Sequence, residues 1–87
     1  MVSVFLQNQY YKNEDEYLSA LSVILKEEYE EIIHSGLILQ IDCPDLAMGR
    51  HIVHTKKTNL EFRDIVARNV EILNVATANI PPDLMRL

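Results

Sequence analysis

Asp42, Cys43, Asp45, Arg50, His51 and His54 set carboxylate, thiol, guanidinium and imidazole groups close together in one short stretch of the chain. Cys43, Asp45, His51 and His54 are sulfur, oxygen and nitrogen donors, and an H-x-x-H pair can reach one metal from a single helical turn. Their spacing matches no standard zinc motif, and histidines in a polar loop are ordinarily solvated, so no metal site is assigned. Cys43 has no adjacent base to make it a nucleophile and reads as a small packing side chain. Arg50 and His51 are able to bind an anionic group. With no partner visible they read as solvated loop residues. Asp42 has two readings: it caps the turn at Pro44, or its carboxylate pairs with an ammonium group. Glu28 falls between Leu25 and Ile32 on the apolar side of a helix, as a functional carboxylate or, the favoured reading, a rim residue reaching water. The run Glu27, Glu28, Glu30 and Glu31 is most simply a wet helix face. Asn69 and Asn74 either hydrogen-bond neighbouring elements or face solvent. No residue is assigned a catalytic role.

The elements that must position these groups alternate in type. Met1 to Leu6, MVSVFL, reads as a short buried strand. Asn13 and Glu16 have capping-box spacing, with Asn in place of the usual Ser or Thr, so a helix starts there. Leu18, Leu21, Leu25, Tyr29 and Ile32 form its apolar stripe, and Gly36, where a left-handed cap is sterically cheap, ends it at about Ser35. Leu37 to Asp42, LILQID, is apolar except at Gln40, the pattern of a strand covered on both faces. Asp45 to Met48 allow a single turn before a loop from Gly49 to Lys57. Thr58 and Glu61 then form a T-x-x-E capping box, and Phe62, Ile65, Val66, Leu73 and Ala76 carry a second helix towards Pro81 and Pro82. Met85 to Leu87 read as the opening of a third strand. Strand, helix and strand with short connections make a βαβ unit.

Composition narrows the rest. With 87 residues, 48% of them hydrophobic, the chain forms one small unit or part of a larger one. A chain of this length buries only somewhat more than roughly 60% of its unfolded surface, so its core is marginal unless a partner completes it. The net charge of −5 and only eight Lys and Arg argue against nucleic acid or an anionic membrane surface as partner. A single cysteine forms no internal disulfide, the sequence opens without a charged leader and apolar run, and no apolar stretch approaches the roughly 20 residues of a spanning helix. These features fit a soluble protein in the reducing cytoplasm.

Four segments in order carry a resemblance. They are E-Y-x-x-I (Glu28, Tyr29, Ile32), L-Q-I-D-C-P-D-L-A-M-G-R-H (Leu39 to His51), N-V-E-x-L-N (Asn69 to Asn74) and A-N-I-P-P-D-L-M-R-L (Ala78 to Leu87). Together they resemble the C-terminal catalytic barrel of the cobalamin-independent methionine synthases and their shorter homologues. The likeness spans nearly the whole chain, and Q-I-D-x-P-D-L-A is its specific part. It implies an α/β fold: a fragment of a TIM (β/α)8 barrel holding about two βα units and the start of a third strand, with residues 1–87 as a single partial domain. It also implies transfer of a methyl group from methyltetrahydrofolate to homocysteine, with zinc holding the thiol as the nucleophilic thiolate. Asp42 would contact the homocysteine amino group. Its place at the C-terminal end of a strand suits that role, because barrel enzymes build their sites on that face.

The family's zinc ligands begin with a His-x-Cys pair on the strand after the I-P-P-x-x-x-R-L segment, and no residue here matches them. Zinc is therefore expected in a complete barrel and not on this chain alone, and homocysteine and folate likewise. The expectation is a methyltransferase-like fragment that is inactive by itself. A related alkyl-to-thiol transferase belongs to the same class. The alternative is a non-catalytic interaction module that associates with itself or with a complementary chain, since open strand edges recruit partners.

Overall fold

The computed structural model describes residues 6–52 and 54–87. Helix α1 spans Glu14–His34. It starts where the spacing predicts: Asn13 is extended, with φ −149° and ψ 172°, and its Oδ1 accepts from Glu16 N at 2.8 Å. The reciprocal half of the box is displaced by one residue, since Glu16 Oε2 accepts from Lys12 N at 3.0 Å. Glu14, Asp15 and Glu16 place negative charge at the positive end of the helix. At the other end Gly36 takes φ 84°, Gly36 N donates to Ile33 O at 3.0 Å and Leu37 N to Ile32 O at 3.3 Å. This is a Schellman motif, which satisfies the last carbonyls and turns the chain sharply.

The turn delivers strand β1, Leu39–Gln40, which pairs in parallel with β2, Met85–Arg86. Leu39 lies opposite Met85 and Gln40 opposite Arg86, and Ile41 N extends the ladder by donating to Arg86 O at 2.9 Å. Between the strands run helix α2, Asp45–Ile52, and helix α3, Asn59–Ala76. The amides of Ala47 and Met48 donate to Pro44 O and so close the first turn of α2. Thr58 caps α3: its Oγ1 accepts from Glu61 N at 3.2 Å and donates to Glu61 Oε1 at 3.0 Å. The helix stops at Ala76, short of the prolines. Thr77 turns its hydroxyl back to Leu73 O, Ile80 N bonds Thr77 O, and the 3-10 turn Pro82–Leu84 leads into β2.

The core lies where α1 and α3 cover the strand pair. Leu39, Ile41 and Ile80 are buried together, with Tyr29, Ile32, Ile33, Cys43, Leu73 and Met85 packed around them. Tyr17, Leu18 and Ser22 are buried on α1, and Ala76 on α3. Leu18 is only 1% exposed, which amounts to roughly 2 kcal/mol of apolar burial for that side chain. Polar contacts tie α3 and the segment after it to α1 at the surface: Arg68 Nη1 lies 3.2 Å from Asp15 Oδ1, and Asn79 Nδ2, beyond the end of α3, donates to Glu30 Oε1 at 2.9 Å.

This architecture corrects the expected α/β fragment of a TIM barrel. The described chain is dominated by three helices of 21, 8 and 18 residues, against two strands of two residues each, and it is not built from two strand–helix repeats. The strand expected over Leu37 to Asp42 shrinks to Leu39–Gln40. A parallel ladder is held only as far as its partner runs, and β2 offers two residues. Leu37 and Ile38 stay 61% and 55% exposed in consequence. The expected strand at Met1 to Leu6 lies outside the described residues except for Leu6, which sits in a bend. The loop expected from Gly49 to Lys57 is helical at its start, because α2 runs on through Gly49 to Ile52. Among the described residues no helix is long and apolar enough to cross a membrane.

Candidate functional site

Beyond β1 the backbone leaves the sheet at Ile41 and passes Asp42, Cys43 and Pro44 before α2 begins. That exit forms one side of a cavity of about 340 Å³. Ser22, Leu25 and Tyr29 of α1 form a second side, and Ile72, Leu73 and Ala76 of α3 a third. The volume falls at the lower end of the roughly 300–1,000 Å³ typical of small-molecule sites. The walls are mainly aliphatic, with a few polar groups set among them, the composition by which such sites gain affinity from burial and orientation from hydrogen bonds.

Asp42 is exposed and lines this cavity, so its carboxylate stands at the rim, accessible to a ligand. Cys43 is half-buried, lines the cavity and packs against the Leu39, Ile41 and Ile80 cluster. Tyr29 faces it from α1. Burial raises the Tyr29 phenol above its ordinary pKa, and Cys43 and then Glu28 add to the rise, so the hydroxyl keeps its proton well beyond neutral pH. The Ser22 hydroxyl is buried and spent on its own helix, donating to Ser19 O at 2.7 Å.

The other candidates lie elsewhere. Arg50 is half-buried, with its guanidinium carbon 5.6 Å from the centre of the Phe62 ring. His54 lies against the same ring with centroids 6.2 Å apart, whereas His51 is exposed. The structure thus divides the donors named from sequence, placing Cys43 at the cavity and His54 on Phe62. Among the described residues no three His, Cys, Asp or Glu side chains gather in a way that would hold a metal ion. Among the described residues, Cys43, His51 and His54 are not gathered into one set of zinc ligands. Glu28 is exposed beside Tyr29, and Glu27 and Glu31 are exposed further along the same helix. Glu30 instead binds Lys26 at 3.0 Å and Asn79, which hold its carboxyl below the usual range. Asn69 is half-buried, and Asn74 is exposed at the edge of the groove flanking the cavity.

Two cavity residues escaped the sequence reading as functional groups, Tyr29 and Ser22. Tyr29 sits in the apolar stripe of α1, where an aromatic side chain reads as core. A phenol in an otherwise aliphatic stripe was the available signal. No family model matches the chain, and no match was found among curated proteins or solved structures.

Proposed function

We propose that the chain supplies the amino-acid-binding part of a thiol methyltransferase of the cobalamin-independent methionine synthase kind, working in the cytoplasm with further polypeptide that provides the reacting centre. The observation that carries this reading is Asp42, an exposed carboxylate at the mouth of an aliphatic cavity, just past the end of a parallel-paired strand. A carboxylate there pairs with an ammonium, and the cavity behind it accepts a short apolar chain. Homocysteine and methionine have that form. Asp42 binds and orients the substrate amine, and the aliphatic walls exclude water from the chain. No chemical step is assigned to a metal on these residues. Folate and zinc belong to the additional polypeptide. The test is an NMR titration of the 87-residue chain with L-methionine. Amides of residues 41–44 and 72–76 should shift with saturation, and Asp42→Asn should remove the response. Shifts that survive Asp42→Asn, or none at all in tens of millimolar ligand, would reject the assignment.

A second reading is favoured by a different observation. Among the described residues the sheet has two strands, and Leu37 and Ile38 beside it remain more than half exposed. Open edges and exposed apolar residues recruit further strands, so the chain would serve as an assembly module without catalysis. Sedimentation equilibrium decides this: a folded monomer across the accessible concentration range eliminates it.

A further inference from the structure

We infer that the outer face of α1 docks into the groove between α2 and α3 of a second copy, joining an acidic aliphatic surface to a basic aliphatic one. The contact is separate from the cavity at Asp42 and from the strand edges. It starts from an uneven division of charge. Four of the eight Lys and Arg, namely Arg50, Lys56, Lys57 and Arg63, and two of the three His fall within residues 50–64, against two of the thirteen carboxylates, Glu61 and Asp64. Lys57 lies 3.9 Å from Glu61, whereas Lys56 and Arg63 are exposed and form no ion pair with a described residue. Arg50 Nη1 is buried without a hydrogen-bond partner, and its guanidinium lies against the Phe62 ring. Phe62 in turn lines a groove of about 570 Å³ whose wall is aliphatic at Leu46, Leu60 and Val66 and charged at Arg63 and Asp64. Leu60 is 70% exposed there.

The complementary surface is on α1. Val23 and Ile24 are more than half exposed, and Glu27, Glu28 and Glu31 are exposed after them. At 3.6 residues per turn these five positions fall within an arc of about 140°. The three carboxylates form no ion pair with a described residue. An aliphatic pair bordered by negative charge is thus presented on one side of a helix, the form in which a helix enters a groove. The two surfaces cannot meet within one chain. Helices α1 and α3 run side by side in the same direction, with Asp15 next to Arg68 and Glu30 next to Asn79. At 1.5 Å per residue, Leu60 and Glu28 are roughly 30 Å apart along that axis, about three Debye lengths at 0.1 M salt. Between copies they can meet. The net charge of −5 opposes indiscriminate approach, so the favoured encounter sets the basic segment of one copy on the acidic face of the other. The aliphatic groups leaving water then hold it.

Sedimentation equilibrium at low ionic strength should show the unaltered chain associating, with a dissociation constant that rises roughly tenfold in high salt as a few surface pairs are screened. Ile24→Glu and Leu60→Glu each put a carboxylate into the contact at an exposed helix position, where Glu is a good helix former. Each variant alone should be monomeric with unchanged helical circular dichroism. Mixed, the two should form a one-to-one complex, because Ile24→Glu retains the groove and Leu60→Glu retains the α1 face. On dilution of the unaltered chain, amide shifts should concentrate at residues 20–31 and 46–67. A monomeric unaltered chain, association that survives both variants, or a mixture that stays monomeric overturns the inference. So do dilution shifts centred on residues 37–41 and 85–87, which would put the contact at the strand edges instead.

Discussion

Helix α3 packs against two neighbours, α1 and α2, and the two contacts are of different kinds. Toward α1 and the strands it packs Leu73 against the buried cluster of Leu39, Ile41 and Ile80, and Ala76 is itself buried. Toward α2 and the turn after it, the described ring contacts are those of Phe62, which receives the Arg50 guanidinium and the His54 ring. An apolar layer gains from every methylene removed from water, whereas a cation on a partly exposed ring contributes about 0.5–1 kcal/mol. The cavity stands between these two regimes. Two of its sides, α1 and α3, belong to the strong contact. The third is the chain leaving β1 for α2, with Asp42 between Ile41 and Cys43, which join the core cluster.

The largest test of that contrast is Leu39→Ala. Leu39 is 3% exposed and pairs opposite Met85. Its truncation should cost about 2–5 kcal/mol, enough to abolish cooperative unfolding in a chain of this size. Loss of the sigmoidal thermal transition by circular dichroism is the expected result. A melting temperature within a few degrees of the unaltered chain would show that the core does not depend on the strand pair.

Next in size is Gly36→Ala. At φ 84° an added Cβ meets nothing within 4 Å, so the cost is backbone strain alone, about 1–2 kcal/mol. Gly36→Asn should lose less, because Asn tolerates the left-handed region better. Equal losses for the two variants in urea titrations would mean that the helix terminus relaxes out of this conformation.

Gly49→Ala should act in the opposite direction. Gly49 lies inside α2 without a positive φ, and a Cβ would meet only His54 Cδ2 at 3.8 Å, an ordinary contact. Replacing a helix-interior glycine should stabilise α2 by about 0.5–1 kcal/mol. If α2 is the weakly held part, hydrogen exchange should slow at its amides and remain unchanged in α1. Uniform slowing in both helices would erase the distinction between the two contacts.

The legibility of these regions in the sequence differs for the same physical reason. Both long helices announced themselves through local chemistry: Asn13 with Glu16, Thr58 with Glu61, and Gly36 past the last apolar turn. Each signal acts within a few residues and needs no distant partner. The strands depend on partners. Leu37 to Asp42 has the composition of a covered strand, but its length is set by Met85 and Arg86, more than forty positions away. Helix α2 was hidden by Gly49 and the polar residues after it, which read as loop. At the site, Asp42 was legible as a strand-end carboxylate. Tyr29 was not, because its place in a stripe of leucines and isoleucines describes packing and does not reveal which face of the ring meets a cavity.

The smallest effect concerns the exposed polar tie between α1 and the segment after α3. Glu30 accepts from Lys26 and from Asn79, which lower its carboxyl pKa in the folded chain, the Lys26 hydrogen bond most of all. A carboxyl depressed on folding adds stability that is present above its unfolded value and disappears as pH falls through the folded one. Stability should therefore decline on the acid side, below the ordinary carboxylate range, and Glu30→Gln should remove that part of the decline. Glu30 is solvent-accessible, so salt should screen the Lys26 contribution and leave the Asn79 hydrogen bond, making the difference between the two chains smaller at high ionic strength. Thermal melts from pH 6 to pH 3 at two salt concentrations measure it. A difference that persists undiminished in high salt would assign this tie to the hydrogen bond alone, whereas parallel pH profiles for the two chains would deny Glu30 any part in joining α1 to the chain beyond α3.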